Sequence, residues 1–416
     1  MNKRIFIIIG LVLIALLLGF WGYTLVYGTP KPLEETFARF SSSNEPDQVI
    51  TPAPGDSTSI TQDTDTSTGV GSNFDDTATQ EPLRQLTSEP VAGFTMVTPD
   101  NTVSDNSSVY VLYAKAGTGH IFRHDIATNI RDRITNFTIA EARDAHFTPD
   151  GTYAVVISGF GSSQLLHIFN LKSNADTAAE PKIVRINAQN ITISDDGLLL
   201  YTVSRPAGTQ ATAYDFSTGT DRALFTTPLT NITVAWGATA NANHFFYPRP
   251  AAGLKSPVFQ ASGNTIRRTP INEYNLELIY AGNVLAFSFD INSSDQRRES
   301  FATFTSDLEQ RQPLNISIQK NTCTIQTPEL TLICAERDFA PVTPIAHSRR
   351  GIAGANFIFL FAEQVGQGSS QSIANLERQA GRSIDISNLQ ITKVTDTSSV
   401  MLFRNNITRN LWLFEM

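Results

Sequence analysis

Residues 145–158 read "AHFTPDGTYAVVIS" and residues 191–204 read "ITISDDGLLLYTVS". Set in register, Phe147 meets Ile193, Asp150 meets Asp196, Gly151 meets Gly197 and Ser158 meets Ser204, each pair 46 positions apart. Both copies follow one physical plan. An alternating stretch ends in a Pro-Asp-Gly or Asp-Asp-Gly turn signal, and a second stretch rich in Val, Leu and Tyr returns from it. A third strand follows in each copy, "LLHIFNL" at 165–171 and "TAYDF" at 212–216, and then a further turn and a fourth run. Four strands in about 46 residues is the period of one β-propeller blade.

The period extends in both directions. Turns beginning at Asp125, Asn170 and Asp215 lie 45 apart, and strand centres recur at Val109, Val155, Tyr201 and Tyr247, then more loosely at Phe287 and Leu332. A third copy of the turn stands at Thr98-Pro99-Asp100, with Asn101 in place of glycine, and "WGATANANH" at 236–244 lengthens a fourth. The repeat region, 83–416, opens on "LRQLT" (83–87), which reads as a fourth strand, and finishes on "NLWLF" (410–414), which reads as a third. The opening strand then completes the final blade and leaves no unpaired edge. The expected fold is therefore all-β, a single propeller. Residues 88–416 divided by about 46 give seven four-stranded blades, and the irregular stretch 335–385 leaves six or eight open. Within that stretch "SSQSIANLERQAG" has a Ser start and a Gly381 stop, the marks of a short helix.

The "TPDG" and "SDDG" units resemble the repeats of TolB-type periplasmic propellers, relatives of the WD-repeat fold. The likeness covers most of 84–416, with degenerate motifs. The whole arrangement, and particularly the ending "SIDISNLQITKV…SVMLFRNNITRNLWLFEM", is similar to membrane-anchored propellers of small-genome bacteria. The resemblance implies a scaffold or binding role and carries no catalytic residues with it.

Ahead of the repeats stands an uncharged run, "IFIIIGLVLIALLLGFWGYTLVY", residues 5–27. At 1.5 Å per residue it is long enough to cross the roughly 30 Å hydrocarbon core as a helix. Trp21, Tyr23 and Tyr27 gather at its far end, and Lys3 and Arg4 precede it, so the N-terminus is expected in the cytoplasm and the repeats outside it. A cleaved signal peptide is the competing reading, though Gly28-Thr29-Pro30 is a poor cleavage site. Residues 28–82, rich in Ser, Thr, Asp and Pro, cannot bury enough surface to offset their ordering entropy and read as a disordered tether. Eight acids and no Lys or Arg lie between Ser41 and Leu83, which accounts for the whole net charge of −8 and leaves the remainder near neutral. Such a balance excludes generic nucleic-acid binding.

The chemistry-bearing motifs are few. Cys323 and Cys334 flank a hairpin centred on Pro328-Glu329, which sets them directly opposite each other. In an oxidising compartment that register favours a disulfide, the alternative being two small buried thiols. The sequence holds no GxSxG elbow, P-loop, GxGxxG before a helix or HExxH, so no catalytic, cofactor-binding or metal residue is assigned and no cofactor is expected. His120 and His124 would stand about 13 Å apart on a strand, too far for one tetrahedral metal. Asp150 and Asp196 recur at equivalent turns, where Asp serves its own backbone.

One pattern points to a ligand face. Lys115, Arg205, Arg249, Lys255, Arg297, Arg298, Arg337 and Arg404 all fall where second strands pass to third strands, on one face of the ring. They would form a positive rim for an anionic partner, an envelope protein or polymer. The plainer reading is that they solvate strand ends, and Arg131, Arg133 and Arg222 at the opposite end support it. The function expected is a membrane-anchored binding or scaffold module in the cell envelope. The alternative is a glycan-active hydrolase or lyase working in the channel, marked by inward acids at non-equivalent positions.

Overall fold

The computed structural model describes residues 82–98, 109–172, 180–251, 253–293, 297–327, 329–337, 358–393 and 398–416. The apolar run 5–27, the tether apart from Pro82, the Pro99-Asp100 turn and Pro328 lie outside the described residues, within which no helix is long and apolar enough to cross a membrane.

Every sheet described is antiparallel, and all but the last are built from consecutive strands. After β1 (Leu83–Gln85), the first unit is β2 (Val91–Val97), β3 (Tyr110–Lys115), β4 (Ile121–Asp125) and β5 (Arg131–Arg133). The second is β6 (Ala142–Phe147), β7 (Tyr153–Ser158), β8 (Leu165–Asn170) and β9 (Lys182–Arg185). The third is β10 (Ala188–Ile193), β11 (Leu199–Arg205), β12 (Gly208–Asp215) and β13 (Thr220–Thr227). Next comes a seven-stranded sheet: β14 (Ile232–Ala235), β15 (His244–Pro248), β16 (Lys255–Ser262), β17 (Thr265–Ala281), β18 (Val284–Asp290), β19 (Arg298–Phe304) and β20 (Asp307–Leu314). Its 17-residue β17 counts twice. Tyr274 pairs with Lys255 of β16 and with Asp290 of β18, and the register breaks between Tyr274 and Glu277. The first half of β17 is thus the outer strand of one blade and the second half the inner strand of the next. Two units remain: β21 (Cys323–Gln326), β22 (Thr331–Arg337), β23 (Ile358–Gln364), β24 (Ser370–Asn375), and then β25 (Ile386–Lys393), β26 (Ser399–Asn405) and β27 (Leu411–Glu415), completed by β1. Together they make seven four-stranded units.

The inner strands form a closed ring. β2 touches β6, β6 touches β10, β14 touches β17, β17 touches β21, β21 touches β25, and β25 returns to β2. Between β10 and β14 the link is Asn190, whose side-chain Nδ2 donates to Ile232 O (3.0 Å) while its main-chain carbonyl accepts from Trp236 Nε1 (2.6 Å). Consecutive sheets of four strands whose inner strands circle back to the first are a β-propeller. Its core lies between the blades, as sheets of Val, Leu, Ile and Phe facing one another.

Local chemistry explains the repeats. Gly151 and Gly197 sit at φ 68° and 78°, the left-handed region that their turns require. Asp150 accepts Thr152 N (3.0 Å), and Asp125, Asn170 and Asp215 accept amides two or three residues on. Residues 369–381 depart from the expected helix. Ser370–Asn375 pair with β23 instead, and only Leu376–Ala380 is helical (α1), capped by Asn375 and ended by Gly381 at φ 62°. The Cys323–Cys334 pair is directly opposed and disulfide-bonded.

One glycine fixes how closely the first two inner strands approach. A Cβ on Gly93 would lie 1.9 Å from the carbonyl oxygen of Ala145. Gly93→Ala is expected to cost at least about 1–3 kcal/mol in denaturant unfolding, because β2 or β6 must shift. An unchanged midpoint would mean that the two strands part without loss.

Candidate functional site

The face on which second strands pass to third strands is the one to which the sequence assigned its eight bases. There the structure supplies each with a context that the sequence did not show. Lys115 closes β3 and donates to Glu89 Oε1 (2.6 Å), while Arg131 reaches Glu89 Oε2 (3.1 Å). The hydrogen bond from Lys115 holds the Glu89 carboxyl below its usual range, despite partial burial. Lys255 faces Glu273 (3.7 Å), which Arg311 also holds at 2.9 Å. Arg298 lies 3.8 Å from Glu277 and 3.9 Å from Asp290, its side chain only 12% exposed, and it also donates to the carbonyls of Asn275 and Ser288. Arg404 points inward and donates to Ala92 O (2.8 Å), Val91 O and Ser387 Oγ. Burial and the nearby Arg409 both disfavour its charge, and Asp144 opposes them. Arg297 accepts the Ile291 amide through its carbonyl, and Arg337 ends β22 with its side chain outside the described ones.

The rim is therefore a mixed ring. Four of the eight bases lie near carboxylates and stitch neighbouring strands together. Arg205 and Arg249 differ. Arg205 donates only to Gln210 (3.2 Å), and the exposed Arg249 side chain faces no carboxylate among the described residues. Two further arginines belong with them. Arg143 at the start of β6 stacks its guanidinium 4.7 Å from the Phe160 ring, and its Nε is buried without a partner. Arg409 reaches Arg143 O (2.9 Å) from a backbone at φ 60°, a conformation that glycine or asparagine normally takes.

Apolar residues share this face. Phe160 (69% exposed), Leu254 (64%), Ile291 and Ile407 (60%) each lie in a second-to-third connection, in the second, fourth, fifth and seventh blades. The other exposed large hydrophobic residues described, Ile130, Ile183 and Ile373, lie elsewhere, in a third-to-fourth turn or on outer strands. Four exposed apolar side chains at one phase of a repeat mark a contact surface more than scattered residues do.

The channel's acids are engaged differently. Burial pushes Asp144 upward, but His146, Arg404 and the Ala145 amide outweigh it and hold the carboxyl below its usual range. The carboxyls raised among the described residues are Asp195, Glu336 and Glu363. Asp195 lies in a turn beside Asp196, at the other end of the strands. Glu336 and Glu363 accept the amides of Ser317 and Asn315, in the chain crossing from β20 to β21. Glu336 and Glu363 thus serve backbone amides of that crossing. No group of three or more metal-ligating side chains occurs among the described residues.

No family model matches the chain, nor does any curated protein. Among solved structures it is similar to the β-propeller domain of the Trilobed protease from Pyrococcus furiosus, at 9% identity and TM-score 0.49, covering 79% of this chain and 96% of that one. Hydrazine synthase from Kuenenia stuttgartiensis is 12% identical at TM-score 0.49, covering 79% and 97%. TolB from Acinetobacter baumannii is 10% identical at TM-score 0.38, covering 76% and 78%. The propeller assignment stands on the strand pairing and the closed inner ring.

Proposed function

We propose that this propeller is a binding module that docks an acidic, apolar-flanked segment of a protein partner across the face of its second-to-third connections. The observation that carries the reading is the shared phase of Phe160, Leu254, Ile291 and Ile407, interleaved with Arg143, Arg205, Arg249 and Arg409. Apolar side chains contribute the desolvated contacts of an interface, and the exposed guanidinium groups of Arg205 and Arg249 select and orient acidic groups. The apolar run 5–27 and the acidic tether would hold this face outside the cytoplasmic membrane, where envelope proteins are the partners within reach.

The test is crosslinking capture from intact cells. Phe160→Ser, Leu254→Ser and Ile407→Ser combined with Arg205→Glu and Arg249→Glu change exposed side chains, so stability should move by no more than about 0.5 kcal/mol per site. Arg298 is left intact because its loss would strand Asp290 and Glu277. The five-site variant is expected to capture envelope proteins at least about tenfold less, which corresponds to about 1.4 kcal/mol of lost binding free energy. Capture of the same set at the same yield would sink the reading.

A further inference from the structure

The second and third blades do not close completely against each other. Between β8 and β9 on one side and β11 to β13 on the other lies a cavity of about 260 Å³. Leu166, Ile168 and Leu199 form an apolar floor. Four polar residues also line it, in two pairs. Tyr201 donates its hydroxyl to Asp221 Oδ1 (2.8 Å), which neutralises that donor and occupies the carboxylate. Lys182 donates to the hydroxyl oxygen of Tyr214 (2.8 Å) and lies 5.1 Å from its ring.

The two pairs leave different valences. In the second, the phenol accepts, so its own proton remains available, and among the described residues no carboxylate lies within ion-pair distance of Lys182. An ammonium and a phenolic O–H beside an apolar floor can receive one anionic oxygen pair while the floor takes a hydrocarbon body. The volume lies below the roughly 300–1,000 Å³ of sites for drug-sized ligands, so the ligand must be compact. Its position between blades is separate from the mouth face. We propose that this cleft binds a small carboxylate bearing a single ring or a branched aliphatic tail, its carboxylate on Lys182 and Tyr214 and its tail against Leu166, Ile168 and Leu199. Asp221 disfavours a second negative charge, which selects monocarboxylates over dicarboxylates.

The experiment titrates the full chain, dispersed in lipid nanodiscs with empty discs as blank, with phenylacetate, 4-methylpentanoate and phenethylamine, read by calorimetry and saturation-transfer NMR. At least one carboxylate is expected to bind saturably and more tightly than phenethylamine. Lys182→Met, at an exposed position, is expected to weaken it tenfold or more. Val184→Phe on β9, which fills the cavity, is expected to abolish saturable binding, with the thermal melt confirming the fold. Saturable binding of neither carboxylate, equal binding by the Lys182→Met variant, or tighter binding of the amine would each overturn the proposal.

Discussion

Excision of residues 82–87 is expected to cost on the order of 5 kcal/mol of unfolding free energy and to make the protein self-associate. These residues contribute β1, the outer strand of the last blade, which pairs Leu83 with Phe414 and Gln85 with Trp412. Leu83 is 4% exposed, packed with Ile386, Met401, Trp412 and Phe414. Its loss alone compares with a buried Leu→Ala change, worth about 2–5 kcal/mol. Hydrogen bonds go with it: Leu86 N to Leu411 O (2.9 Å), Glu415 N to Pro82 O (2.7 Å) and Leu411 N to Thr87 Oγ1 (3.0 Å). Each contributes about 1 kcal/mol net, and more where a buried partner is left unsatisfied. The excision also bares β27, whose Leu411-Trp412-Leu413-Phe414 run would become an apolar edge open to other chains. Urea denaturation measures the first effect and light scattering after size exclusion the second, with Leu83→Ala as the milder control. An unshifted midpoint in a monodisperse sample would show that the ring holds without its clasp.

That clasp was legible in the sequence because it rests on local pattern. "LRQLT" and "NLWLF" are short strand-like runs at the two ends of the repeats, and the repeat phase assigns them complementary places in one blade. The turns were legible for the same reason, since Asp and Gly act within two or three residues of themselves. The blade count was not fixed, and β17 shows why. Residues 265–281 contain no glycine and no turn pair, so the boundary between two blades is a register break inside one strand, at Tyr274–Glu277. In "TIRRTPINEYNLELIYA" only Asn275, at φ 45°, marks the break, and a lone asparagine does not announce a blade boundary. Helix length was misjudged for a related reason: residues 370–375 find an edge on β23, and pairing overrides a modest helical propensity.

The candidate face divides along the same line. That bases stand at strand ends follows from phase and can be counted. Which of them are neutralised depends on Glu89, Glu273 and Glu277, and the first two pairs span 26 and 18 positions of sequence. The apolar members were readable in principle. Phe160 in "GFGSS" and Leu254 in "AAGLKS" are large apolar residues inside loop composition, and only their recurrence at one phase gives them weight. The cleft between the second and third blades had no local signature, because its floor residues look like any inward strand positions until two blades are set side by side.

Glu336→Gln is expected to stabilise the protein progressively as pH rises from 5 to 8, by up to about 3 kcal/mol at the upper end. Glu336 and Glu363 lie on adjacent strands, β22 and β23, and together bind the amides of Ser317 and Asn315. Burial, followed by the charge of Glu363, raises the Glu336 carboxyl to about 7, against the pull of the Ser317 amide. Burial raises Glu363 too, and one of its oxygens is buried without a partner. The folded state therefore keeps a proton on Glu336 that the unfolded chain gives up near 4.5. Between those values the native state binds more protons, so stability falls as pH rises through the window. Glutamine keeps an oxygen for Ser317 N–H and has no charge to desolvate, so the variant is free of that loss. The comparison must be a difference between variant and wild type, because burial lowers His124, His167 and His244 and gives the opposite slope. Those three contribute stability above about pH 6.5 that is lost as pH falls, equally in both proteins. Urea midpoints at pH 4, 5, 6, 7 and 8 should nearly coincide for the two proteins at the acid end, separate between about pH 4.5 and 7, and level off above that. Parallel curves across that range would show that Glu336 meets water in the folded state and that the crossing from β20 to β21 carries no proton-dependent latch.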